Sequence, residues 1–313
     1  MLSFIVHRLL STVVVMAIVA VCIFLLLHLS PGDPAAIIVG DNATQLQIDA
    51  VRKQLGLDDP LAVQFARWLV GILKGDLGVS IFSHEPVSKL IGQRIEPTVS
   101  LALTTLAFAV MIAISFGVLA AWKVGTWIDR LVMVLSVLSF SVPVFVVGYL
   151  LIYVFSIKLG WLPVQGYAPI VDGFATWIRH LILPSLALGL AYVALIARIT
   201  RTAMLDALAE DYIRTARAKG VATGPVLMKH ALKNAGVPIL TVIGIGIALL
   251  IGGVVITETV FNIPGIGRLV VDAISQRDYP IIQGVTLIFS GVYVIVNLLV
   301  DLSYTLIDPR IRY

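Results

Sequence analysis

The sequence predicts an all-α polytopic membrane protein with six transmembrane helices. Of its 313 residues, 59% are hydrophobic and only 13% are charged, and the mean hydropathy is +1.02. These values lie far outside the composition of soluble globular proteins. Six apolar runs each have about the 20 residues that a helix needs to cross the hydrocarbon core of a bilayer. The single cysteine, Cys22, lies within the first run, so neither a disulfide framework nor a cysteine metal site is expected.

The six predicted spans occupy residues 9–29, 98–122, 131–157, 181–199, 237–256 and 281–306. A cleaved signal peptide is the alternative for the first run. That run is longer than a typical signal core, and no small-x-small cleavage site follows it. We therefore expect a first span that follows a short segment at residues 1–8.

Residues 30–97 separate the first two spans and are predicted to form a small helical region outside the cytoplasm. The turn signals PGDP, GLDDP, KGDLG and HEP punctuate this region. Between them, residues 45–55 and 61–73 have the periodicity of short amphipathic helices, and the second carries Phe65 and Trp68 on one face. No nucleophile, base and orienting group occur together here, so we expect no catalytic site.

The distribution of basic residues predicts the sidedness of the chain. Alternate assignment of the loops places twelve Lys and Arg residues on one side, including the seven between Arg198 and Lys233. The positive-inside rule makes that side cytoplasmic, together with both termini, residues 1–8 and 307–313. This distribution accounts for the net charge of +4, which gives no indication of nucleic acid binding.

Residues 200–236 are the one long polar interruption that has the pattern of helices. Gly220 is expected to end a first helix, because glycine adopts the left-handed conformation without steric cost. Thr223 can cap a second short helix, and Pro225 suits its first position. The sequence therefore predicts a cytoplasmic helix-turn-helix.

The first of these helices is predicted to be amphipathic. Apolar residues from Leu205 to Ala216 recur at helical spacing, which predicts one continuous face. On the opposite face, Glu210 is four residues before Arg214, and this order favours a surface ion pair.

Residues 257–280, TETVFNIPGIGRLVVDAISQRDYP, are the second informative segment. NIPGIG predicts a tight turn, and the apolar periodicity after it predicts a short helix. We interpret the segment as an extracytoplasmic scoop or gate, with a simple packed re-entrant loop as an equal alternative. The residues expected to form the gate are Phe261, Pro264, Gly265, Gly267, Arg277 and Asp278.

The sequence contains no nucleotide-binding loop. The GIG of the turn does not follow a strand, and the whole chain lacks GxxxxGKS and GxxxxGKT, so the chain is not expected to hydrolyse ATP by that route. His, Cys and carboxylate residues do not occur at the spacing of metal ligands, so no metal site is expected either.

The predicted helix-turn-helix resembles the cytoplasmic coupling loop of importer-type ABC transporter permeases. It contains YIRTARAKG followed by HALKNA, and the matching positions are Ala216, Gly220 and Leu232. Arg214, Thr215, His230 and Lys233 stand where the family pattern has Glu, Ala, Ile and Pro. The positions that the resemblance assigns to ATPase coupling are Tyr212, Arg214, Thr215, Ala216, Arg217, Lys219 and Gly220.

Other segments, in the right order, are similar to the first permease subunit of dipeptide, oligopeptide and nickel importers. They are LGLDDPLAVQFARWL, KGDLGVS, SFSVPVFVVGYLLIYVFSIKLGWLPVQGY, ETVFNIPGIGRLVVDAISQRDYPIIQGV and NLLVDLSYTLIDPRIRY. The resemblance implies the type I ABC importer permease fold in a bacterial cytoplasmic membrane. It also implies a second related permease, two cytoplasmic ATPase subunits that bind ATP and magnesium, and an extracytoplasmic substrate-binding protein. The chain itself is expected to hold no cofactor.

Several alternatives remain at this point. Peptides are the expected substrate because they are the commonest class in that family, but the same architecture also imports nickel or glutathione. A proton-coupled secondary peptide carrier is the alternative of another class. Such a carrier usually holds carboxylates or histidines within its spans, whereas Glu258 and Asp301 lie near span ends. The cations of the helix-turn-helix can also serve the positive-inside rule alone.

Overall fold

A computed structural model of the chain describes residues 2–29, 34–39 and 44–307. Its α-helices, in chain order, are α1 Leu2–Leu29, α2 Pro34–Val39, α3 Gln45–Leu55, α4 Leu61–Leu73, α5 Val87–Gly92, α6 Ile95–Trp122, α7 Trp127–Ser141, α8 Val144–Leu151, α9 Phe174–Ala209, α10 Asp211–Ala218, α11 Thr223–Pro225, α12 Leu232–Asn234, α13 Gly236–Val260, α14 Ile266–Gln276 and α15 Tyr279–Ile307. Within the described ranges, the only β-structure is an isolated antiparallel bridge between Val79 and Pro86. The C-terminal segment expected in the cytoplasm lies outside the described residues beyond Ile307.

Two π-helical turns interrupt the helical pattern. The first, Ile152–Lys158, continues α8, and the second, Val226–Ala231, joins α11 to α12. A short 3-10 turn, Ile170–Asp172, precedes α9.

Four helical stretches within the described residues are long and apolar enough to span a membrane. They are Val87–Trp122, Phe174–Ala209, Gly236–Val260 and Tyr279–Asp301. A bent pair of helices brings the number to five if the pair counts as one span. In α1, the stretch of described apolar side chains, Leu10–Leu25, is shorter than a span. The all-helical membrane architecture agrees with the sequence prediction. Of the six predicted spans, the described residues contain four or five.

The run predicted as one span at residues 131–157 is not straight. Trp127–Ser141 and Val144–Lys158 meet at an angle of 104°. Pro143 cannot donate a backbone hydrogen bond, and Val142 before it takes the extended conformation, with φ −94° and ψ 126°, that a residue preceding proline prefers. The apolar composition of the run predicted its burial in a membrane but not this break.

The chain divides into two compact units. The first comprises Met1–Ile95 and Arg268–Val294, and the second comprises Glu96–Gly267 and Ile295–Tyr313. In the first unit, α1, α4 and the beginning of α15 share a small apolar cluster.

The core of the second unit is built along α9. Leu188, Ile196 and Met204 lie on this 36-residue helix and are fully buried or nearly so. Helices α7, α8 and α13 pack against α9. Helix α6 approaches it so closely that a Cβ added at Gly117 would lie 2.5 Å from the Cβ of Thr200. Small residues at such positions allow backbones to approach in a membrane protein.

The two ends of α13 define the two ends of this unit. The 25 residues of α13 make a rod of about 36 Å, so Gly236 and Val260 lie far apart. The helix-turn-helix, residues 210–235, precedes the first end, and the segment that we call the turn segment, residues 258–267, forms the second. The helix-turn-helix and the turn segment therefore lie within one unit, at opposite ends of the same helix.

Candidate functional site

The helix-turn-helix begins with a break after α9. Helix α9 continues to Ala209, and Glu210 then takes the extended conformation, with φ −69° and ψ 151°, before α10 begins. The backbone oxygen of Glu210 accepts the N–H groups of Ile213 and Arg214, at 3.1 and 3.4 Å, so Glu210 starts α10 and does not continue α9. The predicted single face from Leu205 to Ala216 is therefore divided between two helices.

This break also changes the predicted ion pair. Arg214 pairs with Asp211 at 3.2 Å, whereas the sequence predicted a pair with Glu210. Both side chains of the observed pair are exposed, so the pair contributes little stability.

One side of the helix-turn-helix is fixed to the helix bundle. Ile213 of α10 is fully buried, and Val226, Leu227 and Ala231 of the second π-helical turn lie in the same apolar cluster. The remaining buried members of this cluster come from the ends of the long helices and the residue before α13: Ala121, Ala203, Met204, Ala207, Ala235 and Ile239. Close-packed side chains therefore hold the helix-turn-helix to the ends of α6, α9 and α13.

The other side of the helix-turn-helix is exposed and rich in cations. The exposed residues among those assigned to coupling by resemblance are Tyr212, Arg214, Thr215, Arg217, Lys219 and Gly220, and Ala216 is half-buried. All seven lie within nine consecutive residues, on α10 and the turn after it.

Gly220 ends α10 as the sequence predicted. Its φ is +76°, in the left-handed region, and its N–H donates to the backbone oxygen of Arg217 at 3.0 Å. A Cβ added at Gly220 would have no atom within 4 Å. Because Gly220 is both exposed and unobstructed, its surface is open to a partner.

An ion pair that the sequence reasoning missed lies near the helix-turn-helix. The carboxylate of Asp129, on the first turn of α7, is almost fully buried and pairs with the guanidinium of Arg201 on α9. The N–H of Gly125 also donates to Asp129, at 3.0 Å. In the sequence these residues counted only as loop charges, and their separation of 72 positions left no local pattern by which to pair them.

At the opposite end of α13, the turn segment is built around Glu258. This side chain is fully buried, and its Oε1 accepts a hydrogen bond from the Thr98 hydroxyl at 2.6 Å. The same hydroxyl accepts the N–H of Ile266 at 2.8 Å. The Glu258 backbone oxygen accepts the N–H of Ile263 at 2.9 Å. Three segments, the beginnings of α6 and α14 and the end of α13, are thereby tied together.

The two buried positions occupied by glycine in NIPGIG have no room for a side chain. A Cβ at Gly265 would overlap the Glu258 carboxylate, and a Cβ at Gly267 would lie 2.7 Å from the Cα of Val255. The turn can therefore fold over Glu258 only if these positions lack side chains. Hydropathy placed Glu258 near the end of a span, but its burial could not be inferred from the sequence.

The predicted gate residues have different surroundings. Phe261 is buried in the core cluster and Pro264 is exposed, while Gly265 and Gly267 are buried against Glu258 and Val255. Arg277 and Asp278 belong to the other unit.

Within that other unit, Arg277 is exposed and has a positive φ of 58°, and Asp278 is buried. The Oδ2 of Asp278 accepts a hydrogen bond from the Ser80 hydroxyl at 2.5 Å. Asp278 thus fixes the chain entering α15 to the loop before α5.

The loop between the first π-helical turn and α9 also attaches to the turn segment. The N–H of Gly166 donates to the backbone oxygen of Phe261 at 2.8 Å, and the Tyr167 hydroxyl donates to Glu96 at 3.0 Å. Burial raises the pKa of the Tyr167 phenol above its ordinary value. Across the part of the chain that the structure describes, His, Cys and carboxylate side chains do not gather into a group that could hold a metal ion.

Comparison with known families gives two matches that together span nearly all of the chain. Residues 113–313 match the family described as "Binding-protein-dependent transport system inner membrane component", and residues 1–102 match the N-terminal family of the same membrane components.

Curated relatives match the chain over its whole length. A protein of Sinorhizobium fredii named as a probable peptide ABC transporter permease is 59% identical over 310 residues, covering 99% of both chains. Glutathione transport system permease proteins of Salmonella paratyphi A and Escherichia coli are 47% and 45% identical over 313 residues, covering 100% of both chains.

A solved structure shares the fold. A chain of the inward-facing MetNI methionine ABC transporter aligns with a TM-score of 0.58 and 17% identity, covering 70% of this chain and 96% of that one. This confirms the expected fold of a type I ABC importer permease. With the family matches over both parts of the sequence, the chain belongs to the inner membrane components of binding-protein-dependent transport systems.

Proposed function

We propose that this permease forms half of the translocation pathway of a peptide importer and receives its driving force at the helix-turn-helix. The observation that carries the proposal is the two-sided construction of residues 210–235. One side is packed into the ends of α6, α9 and α13, and the other presents exposed cations and an unobstructed Gly220. A surface fixed to the spans on one side and open on the other is suited to transmit movement from a partner.

The proposed partners are a second related permease, two cytoplasmic ATPase subunits and an extracytoplasmic substrate-binding protein. ATP and magnesium are bound by the ATPases, and this chain supplies no cofactor of its own. The positive-inside rule supports a cytoplasmic position for the helix-turn-helix and both termini. Residues 257–280 then lie on the substrate side, as a scoop or gate above the pathway.

In this mechanism, closure of the ATPase pair moves α10. Ile213 passes the movement to α9 and α13, because it is buried among their side chains. The Asp129–Arg201 pair extends the movement to α7. The spans tilt together and reopen the pathway toward the substrate side, which is a rigid-body mode of domain movement. Tyr212, Arg214, Thr215, Arg217 and Lys219 form the rim of the contact, with Ala216 and Gly220 at its centre.

Peptides are the proposed substrate class. The relative at 59% identity carries the name of a probable peptide permease, and those at 45–47% are named for glutathione, which is itself a short peptide. Glutathione is therefore the second candidate, and nickel the third.

The test is uptake by the complete transporter in proteoliposomes with ATP inside or outside. We expect accumulation of a labelled dipeptide or oligopeptide that requires ATP on the helix-turn-helix side and the binding protein on the other. Accumulation of nickel alone would overturn the peptide assignment, and accumulation of glutathione without any other peptide would replace the first candidate by the second. Accumulation by this chain alone, or uptake that an uncoupler abolishes while ATP is retained, would overturn the ATP-driven mechanism in favour of a secondary carrier.

The docking surface is tested at Gly220. A Gly220→Trp variant should lose co-purification with the ATPases and lose uptake, because a bulky side chain obstructs the contact. Gly220→Asn should retain much of both, since asparagine tolerates a positive φ. Gly160→Trp is the matched control: Gly160 also has a positive φ, +65°, with no atom within 4 Å of an added Cβ, but it lies in the loop before α9. Unchanged assembly and uptake in Gly220→Trp would reject the assignment.

A further inference from the structure

Helix α4 is apolar around almost its whole circumference. Its sequence, LAVQFARWLVGIL, contains two polar side chains, Gln64 and Arg67. No residue of the helix is fully buried. A helix that is hydrophobic on all sides normally lies in a protein core or in a membrane. Because α4 is not in the protein core, its surroundings need another explanation.

One face of α4 packs against α1 and α15. The contacts are made at positions inside the ends of those two helices. The rings of Phe65 and Trp68 lie 5.3 and 5.8 Å from the ring of Phe24 on α1. Phe24 is five residues before Leu29, the end of α1, which places it about 7 Å inside that end at 1.5 Å per residue.

The same apolar cluster reaches deeper on both neighbouring helices. Trp68 and Ile72 pack against a cluster that includes Ala20 on α1 and Leu287 on α15. Leu287 is eight residues after Tyr279, so it lies about 12 Å along α15 from its beginning. Helix α4 therefore lies beside α1 and α15, against side chains that are about 7 to 12 Å inside the ends of those helices.

The outer face of α4 resembles the lipid-facing side of a span. Val63, Ala66, Val70 and Leu73 are spaced at i, i+3, i+7 and i+10 and share this face, which Arg67 borders at i+4. Val70 is 48% exposed and Leu73 is 78% exposed, which compares with 65% for Val13 of α1. The outer face thus continues the kind of apolar surface that α1 itself presents.

The two polar side chains of α4 are directed to one short turn. Gln64 Nε2 donates to the backbone oxygens of Leu57 and Asp59, at 3.0 and 2.8 Å, and Arg67 pairs with the Asp59 carboxylate at 2.5 Å. Their polar groups are thereby satisfied by the chain that precedes the helix. The Arg67 and Asp59 side chains are 56% and 42% exposed, so this charged pair marks the side of α4 that reaches water, and the rest of the circumference is apolar.

We propose that α4 is embedded in the lipid bilayer beside α1 and α15, with Val63, Ala66, Val70 and Leu73 against the acyl chains. The helix has 13 residues and is too short to span, so it lies within one leaflet near the headgroups, as interfacial helices do. The proposal adds a lipid-embedded helix to the region at residues 30–97 that the sequence predicts to lie outside the cytoplasm. The occupant of the outer face is lipid, and this conclusion does not depend on the substrate or on the coupling surface.

Spin labels measure the surroundings directly. In the complete transporter in liposomes, with Cys22→Ser, a nitroxide is attached at Val63→Cys, Val70→Cys or Leu73→Cys, and its collisions with oxygen and with a water-soluble nickel chelate are compared. Val21→Cys, exposed on α1 close to the level of Phe24, is the lipid reference, and Asp49→Cys, exposed on α3, is the water reference. We expect the α4 labels to match Val21, with frequent oxygen collisions and at least a fivefold lower rate with the chelate than at Asp49.

Two outcomes would overturn the proposal. Chelate collisions equal to those at Asp49 would place the face in water, and low collisions with both reagents would place it against protein, such as the second permease or the binding protein. A second measurement needs no substitution: a lipid with a photoreactive group in its acyl chain is activated, and the adducts are mapped by mass spectrometry. Adducts on residues 61–73 as well as on α1 support the proposal, and adducts on α1 without any on 61–73 contradict it.

Discussion

The carboxylate of Asp129 accepts two hydrogen bonds from the guanidinium of Arg201, from Nε at 2.5 Å and from Nη2 at 2.8 Å. Because two hydrogen bonds join the guanidinium to the carboxylate, the relative orientation of the two groups is fixed as well as their distance. Asp129 is 5% exposed, so little water competes for the pair. The pair joins the beginning of α7 to α9 about two turns before α9 ends at the helix-turn-helix. It is therefore placed to make α7 follow the movement of α9.

Asp129→Asn should weaken this link. The substitution keeps the size of the side chain but leaves the partly buried Arg201 without its counter-charge, which costs of order 2 kcal/mol of stability. We expect a lower unfolding temperature of the purified complex and fewer substrate molecules transported per ATP hydrolysed. Glu85→Gln is the control, because the Glu85–Lys89 pair at 2.7 Å is exposed and should contribute less than about 1 kcal/mol. Equal effects of the two substitutions would contradict the role of the buried pair.

Parts of this architecture could be predicted because they depend on local sequence. The apolar runs predicted the long helices, since their length and hydropathy are properties of consecutive residues. Gly220 was predicted to end a helix and does so, with φ +76°, because its conformational freedom is a property of the residue itself.

Other parts could not be predicted because they depend on distant neighbours. Glu258 is stabilised by Thr98, which is 160 positions away, so its burial leaves no periodic signal. The break at Glu210 interrupts an apolar pattern that was intact in the sequence, because Ile213 packs into a cluster formed by three other helices. Periodicity shows which residues can share a face, but the packing partner determines where the helix ends.

Gly265→Ala should disrupt the turn segment. The added Cβ would overlap the carboxylate of Glu258, which is fully buried, so the turn or the carboxylate must be displaced. Overpacking of this kind costs about 2 kcal/mol or more. Gly252→Ala, on α13, is the matched control, because a Cβ there meets no atom within 4 Å. The unfolding temperature and the rate of uptake should both fall in Gly265→Ala and stay unchanged in Gly252→Ala. If the two variants have the same unfolding temperature, the turn does not depend on its contact with Glu258.

Thr98→Val should release α14 from Glu258. Valine has nearly the same shape as threonine but can neither donate to Glu258 nor accept from the N–H of Ile266. Two buried polar groups lose a partner, which costs about 3 kcal/mol in total. Thr98→Ser retains both hydrogen bonds and should lose far less stability. The measurement is amide hydrogen exchange at residues 263–267, expected to be faster in the valine variant; unchanged exchange there would mean that other contacts hold the segment.

Gly117→Ala tests how closely α6 and α9 must approach. A Cβ at Gly117 would lie 2.5 Å from the Cβ of Thr200 and 2.8 Å from the backbone oxygen of Ala197. Backbone atoms cannot rotate aside, so the two helices must separate, and overpacking in a dense core costs about 1–3 kcal/mol.

The separation should reduce both the unfolding temperature and the coupling of ATP hydrolysis to uptake, because α9 leads directly into the helix-turn-helix. Gly291→Ala in α15 adds the same methyl group where no atom lies within 4 Å, so it serves as the control. If both alanine variants transport and unfold like the unmodified protein, α6 and α9 are farther apart at Gly117 than the 2.5 Å between the added Cβ and the Cβ of Thr200 indicates. In that case α6 can move independently of α9.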